Sequence, residues 1–292
     1  MRRVVFLVWL MALTVLVACN PPRSSKLTIA CKNFTEQVLL GELVAQEVEA
    51  EGEAVDRRFY LAGSYIAHQA LVSGRIDAYV EYSGTALTAI LKQPLDRDPA
   101  RTLATIRKIY HEKYGIAVGD SLGFEDTFAM IVRADDARFT SVKTLSELTP
   151  VAKSLRLGTG FEFQSRPDGL PSLEQVYRLD FNDRPRVMDL GLLYRSLAAQ
   201  QVDIVSGNST DGAILAMHLR VLQDDRHAFP PYEAVPLVRE RALAEHPALQ
   251  RALARLAGRV SADEMQRMNH AVDGDHRDPM EVVRAFRAEK HL

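Results

Sequence analysis

The chain has 292 residues, 47% hydrophobic and 25% charged, with 16 Gly, 13 Pro and two Cys, which excludes a disordered, collagen-like or disulfide-stapled protein. Its 36 Lys and Arg against 38 Asp and Glu leave a formal charge of −2, too little positive field for a nucleic-acid backbone. At this length one large or two medium α/β domains can bury a substantial core.

Residues 1–18 stand apart. Met1, Arg2 and Arg3 make a basic start, Val4 to Val17 is almost wholly apolar, and Leu16-Val17-Ala18-Cys19 closes the run. The stretch is short for a membrane span and reads as a secretory signal. Its end resembles a bacterial lipobox, which implies cleavage before Cys19 and lipidation of that cysteine. Loss of Arg2 and Arg3 takes the formal charge from −2 to −4, and the only tryptophan, Trp9, leaves with them. Cys31 is then a lone thiol, so no intramolecular disulfide is expected even in an oxidising compartment. Residues 19–26 are polar and Pro-rich and read as a tether.

From Leu27 onward short apolar runs alternate with helical stretches, the pattern of a parallel α/β sheet. Leu27 to Cys31 reads as a strand, followed by a helix to Glu51 with Asn33 and Glu36 spaced as a capping box and Gly52 as its stop. Val55 to Phe59 and Ile76 to Tyr82 read as strands on either side of a helix at Ser64 to Ser73, with helices after them at Thr85 to Leu91 and Ala100 to Tyr114. A second set opens with the strand Thr127 to Val132 and continues with strands at Arg156 to Thr159, Val187 to Leu190 and Val202 to Val205. Its helices are Leu170 to Tyr177, Leu192 to Gln200 and Asp211 to Met217. Phe229-Pro230-Pro231 breaks the pattern, Ala234 to Val238 reads as a returning strand, and the remainder is helical. The expected architecture is two α/β lobes, 27–126 with 230–292 and, inserted between them, 127–229. Two chain crossings make a hinge, and a ligand would lie in the cleft at the carboxyl ends of the strands.

Several runs then become recognisable: Lys32 to Gln37 (KNFTEQ), Gly74 to Thr85 (GRIDAYVEYSGT), Arg166 to Gly169 (RPDG), Gly191 to Tyr194 (GLLY), Ser209 to Gly212 (STDG) and Asp224-Asp225 ahead of Phe229 to Tyr232. In this order the chain, from about residue 27 to 288, resembles the substrate-binding proteins of ABC importers for glycine betaine, choline and related osmoprotectants, the ProX-like, OpuAC-type group. The resemblance implies a two-lobed periplasmic-binding-protein fold of the type II kind. It also implies an aromatic cage around a quaternary ammonium, a group that cannot donate a hydrogen bond and is best held by ring faces at about 0.5–2 kcal/mol each.

Carried over by residue, the resemblance assigns Tyr82 and Tyr194 to the cage, with Phe128 where the family usually has tyrosine. Asn208 stands near a position where betaine binders often carry a further tyrosine, and it would leave the cage open on one side. Lys32, Gln37, Thr85 and Arg166 would form the polar clamp, with Thr85 at a helix start that favours an anionic group. The two cations of that clamp suit a carboxylate, and the open cage suits a larger betaine such as carnitine, histidine betaine or ergothioneine. Asp211 is expected to cap its helix or bond the hinge, and Asp126 either to bond its loop or to face the cation. Tyr65 is expected in the core or at the cleft rim.

The rival class is a hydrolase, because Gly119-Asp120-Ser121-Leu122-Gly123 fits both a nucleophile-elbow pattern and a GDSL opening, with Asp224 and His227 as a second block. The context disagrees: an elbow needs a strand before its serine and a helix after it, whereas this run leads into a strand. No His-x-x-x-His pair or calcium-loop spacing points to a metal, and no cofactor is expected. The resemblance thus implies a monomeric, lipid-anchored, extracytoplasmic solute-binding protein that performs no covalent chemistry. Its partners would be a membrane permease and an ATPase.

Overall fold

The computed structural model describes residues 26–181 and 183–292. The signal, Cys19 and the tether as far as Ser25 lie outside the described residues. In chain order the strands are β1 (Leu27–Lys32), β2 (Val55–Leu61), β3 (Ala78–Tyr82), β4 (Ile116–Val118), β5 (Phe128–Arg133), β6 (Leu157–Thr159), β7 (Arg186–Val187), β8 (Ile204–Asn208), β9 (Leu219–Leu222) and β10 (Ala234–Arg239). Among the described residues they form two five-stranded sheets, ordered β2-β1-β3-β10-β4 and β7-β6-β8-β5-β9. The two sheets share one plan. β1 lies parallel to β2 and β3, and β6 parallel to β7 and β8. The fourth strand of each, β10 or β5, runs antiparallel to both its neighbours.

Alternation along the strands explains why they read as continuous apolar runs. In β3, Ala78, Val80 and Tyr82 join one buried cluster while Tyr79 joins another on the opposite face. In β5, Met130 and Val132 face one cluster while Ala129 and Ile131 face another. A strand packed on both faces cannot show a polar side, as expected for sheets covered by helices. Helix Thr35–Ala50 covers one face of the first sheet with Leu39, Leu40 and Leu43, and Ile106 and Tyr110 of helix Pro99–Tyr114 cover the other.

The chain passes between the sheets along a hydrogen-bonded ribbon. Leu122 N–H donates to the Ala234 carbonyl, Ala234 N–H to that of Phe124, and Asp126 N–H to that of Tyr232. Asp126 therefore sits on the ribbon itself. A further contact joins helix Ala262–Asp273 to helix Gly212–Ala216, where Gly212 lies against the backbone of Asn269 and His270.

Several expected local features differ. The short edge strands β4 and β9 were not expected, because three or four residues carry too little pattern to read. The strand expected at Val187 to Leu190 is only Arg186–Val187, since Asp189 caps a helix that opens at Leu190. The Thr85 helix is a π-helical turn, Thr85–Ile90. The Asn33 and Glu36 capping box does not form: the N-cap is Phe34 with no side-chain bond, because Glu36 turns inward to stronger partners. Asp211, expected to cap its helix or bond the hinge, makes no side-chain cap bond either.

Candidate functional site

Between the sheets lies a cavity of about 940 Å³. The strand ends place its walls. Lys32 ends β1, Tyr82 ends β3 and Asn208 ends β8, while Phe128 opens the antiparallel β5 and so faces the same way. Phe128 and Asn208 are direct partners in the β5–β8 ladder, which puts ring and amide on one face of the sheet. Lys32, Thr85, Arg166, Tyr82, Phe128, Tyr194 and Asn208 all line the cavity. Gln37 does not: it lies fully buried behind the wall, its Oε1 3.4 Å from the Lys32 amide nitrogen. Tyr65 is 63% exposed and outside the lining, neither core nor cleft wall.

The basic side of the cavity is already neutralised. Lys32 Nζ lies 2.5 Å from Glu81 Oε1, with both side chains buried. Arg166 makes a two-pronged pair with Asp168, Nε to Oδ1 at 3.0 Å and Nη2 to Oδ2 at 2.6 Å. Its other donors reach Glu162 at 3.2 Å and the Thr85 hydroxyl at 3.0 Å. Burial pushes the Asp168 carboxyl up, but its bonds to Arg166 win and hold it below the usual range. These same cations cover two of the expected cage rings. Lys32 Nζ stands 4.7 Å from the Tyr82 ring centre, and the Arg166 guanidinium 4.8 Å from that of Phe128. Phe128 is also held edge-on by Phe163, Phe229 and Tyr232.

The opposite side is acidic, and sequence reasoning missed its extent. Glu36, Asp126 and Asp211 line the cavity, and none of them forms an ion pair among the described residues. Tyr82 OH donates to Glu36 Oε1 at 2.6 Å, and Asn269 Nδ2 donates to Glu36 Oε2 at 2.8 Å. The Thr210 hydroxyl stands 2.5 Å from Glu36 Oε2 and 2.7 Å from Asp126 Oδ1. Tyr194 OH and the Asn208 backbone N–H both donate to Asp211 Oδ2. Burial, reinforced by the neighbouring carboxylates, pushes Asp126 well above its ordinary range and raises Glu36. Burial likewise lifts Asp211 to about 6. The signal was present in the sequence as Thr35-Glu36 and Asp126-Thr127, but residues so far apart in the chain meet only across the hinge.

Gly207 makes the Tyr194 contact possible. A Cβ at that position would lie 2.1 Å from the Tyr194 hydroxyl oxygen, so only glycine lets the ring reach Asp211.

The hydrolase-like run has no such setting. Ser121 Oγ accepts from the Gly123 N–H at 3.2 Å, and Gly123 holds φ at 115° to close the turn. Asp224 of the second block accepts from the Tyr177 hydroxyl and from the Ala228 and Phe229 amides, an anchor for the loop before Pro230. Cys31 is free and buried, and burial pushes its thiol to about 12. Among the described residues no cluster of His, Cys, Asp or Glu could hold a metal, and no helix is long and apolar enough to cross a membrane.

Comparison with known proteins points to one family and fold. A family model described as the substrate binding domain of ABC-type glycine betaine transport systems matches residues 25–289. The carnitine transport binding protein OpuCC of Listeria monocytogenes is 32% identical over 250 residues, 85% of this chain and 80% of that protein. The ergothioneine transport permease/ergothioneine binding protein EgtU of Helicobacter pylori is 30% identical over 284 residues, 97% of this chain and 51% of that protein. A solved glycine betaine/carnitine/choline ABC transporter structure superposes with a TM-score of 0.78 at 31% identity, covering 91% of this chain and 99% of that one.

Proposed function

The chain belongs to the family of substrate-binding domains of ABC-type glycine betaine transport systems, and from that membership we propose that it captures a trimethylammonium solute with the cation against the acidic wall. The observation that carries this reading is the meeting of Tyr82 and Tyr194 with Glu36, Asp126 and Asp211, carboxyls that no protein cation neutralises among the described residues. A quaternary ammonium is attracted by both ring faces and carboxylates and needs no acceptor of its own. Micromolar capture requires roughly −8 kcal/mol, within reach of aromatic faces and a desolvated charge contact acting together.

This reading modifies the clamp expected from sequence. Lys32 and Arg166 bring charges that Glu81 and Asp168 already balance, so a ligand carboxylate would gain hydrogen bonds at the Thr85 end and little net Coulomb attraction. Glycine betaine, choline and carnitine are the first candidates. A larger betaine such as ergothioneine is a second reading, favoured by the cavity of about 940 Å³, at the upper end of the range for small-molecule sites.

The solute would bridge both lobes and favour their closed arrangement by contacts made only there. It would then be handed to a permease driven by an ATPase. Anchorage through lipidated Cys19 and a monomeric state complete the proposal. Thermal-shift screening of choline, glycine betaine, carnitine, ergothioneine and neutral amino acids tests it: a trimethylammonium solute should raise the midpoint, and a response confined to amino acids would refute the reading. Mass spectrometry of the membrane-extracted protein should find a diacylated Cys19 that Cys19→Ser lacks.

A further inference from the structure

We infer that the acidic wall binds a proton, shared between Asp126 and Glu36 through the Thr210 hydroxyl, and that a cationic solute entering the cleft displaces it. Thr210 Oγ1 lies within hydrogen-bond distance of two carboxyl oxygens, 2.5 Å from Glu36 and 2.7 Å from Asp126. A hydroxyl has a single hydrogen to donate, so one contact requires a hydrogen supplied by the carboxyl itself. Glu36 already accepts from Tyr82 OH and Asn269 Nδ2, donors that favour its ionised form. Asp126 has the Thr210 backbone N–H at 3.3 Å and the loosely held Ser209 hydroxyl at 3.5 Å, so the proton lies toward Asp126. The chain of bonds then runs from Asp126 to Thr210 to Glu36, each hydroxyl donating once.

The surroundings favour keeping that proton until a cation arrives. Both carboxyls are buried, and burial raises each, with repulsion from Glu36 and Asp211 adding to it at Asp126 and from Asp211 at Glu36. Asp211 adds a third negative group, itself facing Tyr194 and Asp273, and Asp273 has His270 and His276 beside it. Lys32, the cation over the Tyr82 ring, is committed to Glu81. A trimethylammonium placed here supplies the missing positive charge and lowers the proton's affinity, and by linkage the proton lowers the solute's. Solute affinity should therefore fall on acidification, by at most about tenfold per pH unit for one proton released. The inference rests on the cation-binding reading above, and its test separates the two.

Carboxyl ¹³C NMR of the ligand-free protein should show one aspartate still protonated at pH 7, absent in Asp126→Asn, whose amide can donate to Thr210 without a proton. Saturation with choline, glycine betaine or carnitine should move that resonance to the ionised position. Calorimetry in buffers of different ionisation enthalpy should register proton release by the native protein and none by Asp126→Asn. Full ionisation of every aspartate at pH 7 without ligand would overturn the bound proton. Binding with a buffer-independent enthalpy would overturn the displacement while leaving the functional reading intact. If neither these three solutes nor ergothioneine binds, both the functional reading and the displacement fail, and the ligand-free spectrum still decides the proton.

Discussion

The two walls of the cleft carry opposite charges, and the protein treats them in opposite ways. On the basic wall Lys32 and Arg166 are each matched by a carboxylate at ion-pair distance, so their charge is spent on the fold. On the acidic wall Glu36, Asp126 and Asp211 receive, among the described residues, only neutral donors from tyrosine, threonine, serine, asparagine and backbone. Formal charge in a sequence is thus a poor guide to the charge a ligand meets. What matters is which groups the chain has left for it, and here those are acids.

That contrast can be broken from either side. The largest effect is expected from Asp168→Ala, which leaves the Arg166 guanidinium buried without its main counter-ion and should cost about 3–5 kcal/mol in urea unfolding. On the acidic side, Gly207→Ala drives a Cβ into the Tyr194 hydroxyl and should cost about 1–3 kcal/mol, with weakened solute binding because the ring must withdraw from Asp211. Tyr82→Ala or Tyr194→Ala should weaken solute binding at least about tenfold by calorimetry while the far-ultraviolet circular dichroism stays unchanged. Unaltered affinity in both would remove the rings from the site.

A further test concerns pH. Asp211 rises from 3.8 to about 6 on folding, chiefly through burial, so the folded protein holds a proton that the unfolded chain releases. The stability this group contributes is full below 3.8 and is lost as pH rises through about 6. Asp211→Asn removes that dependence. In paired thermal melts the variant should gain on the native protein as pH rises from 4 to about 7, and a constant difference would count against the raised carboxyl.

Much of this was legible in the sequence because it was local. The runs ending in Cys31 and Tyr82 announced strands whose carboxyl ends face a cleft, and seven of the eight residues assigned to ligand binding do line the cavity. Gln37 was misplaced because it lies one helical residue past the wall, a matter of about 100° of rotation that no motif encodes. The pairing of Lys32 with Glu81 and the meeting of Glu36 with Thr210 were not legible. They join residues far apart in the chain, and a capping-box spacing offered Glu36 a plausible local partner that the folded protein does not use. Likewise Asp211, well placed to cap a helix, spends its carboxylate on Tyr194 and Asn208.

The central claim is that the solute's positive charge, and not its shape or its carboxylate, is what the acidic wall holds. Calorimetric comparison of choline with its uncharged carbon isostere, 3,3-dimethylbutanol, changes that charge and little else. Binding should weaken by about a hundredfold when nitrogen becomes carbon, the share expected of a desolvated cation against ring faces and carboxylates. Equal affinity for the two would contradict the account.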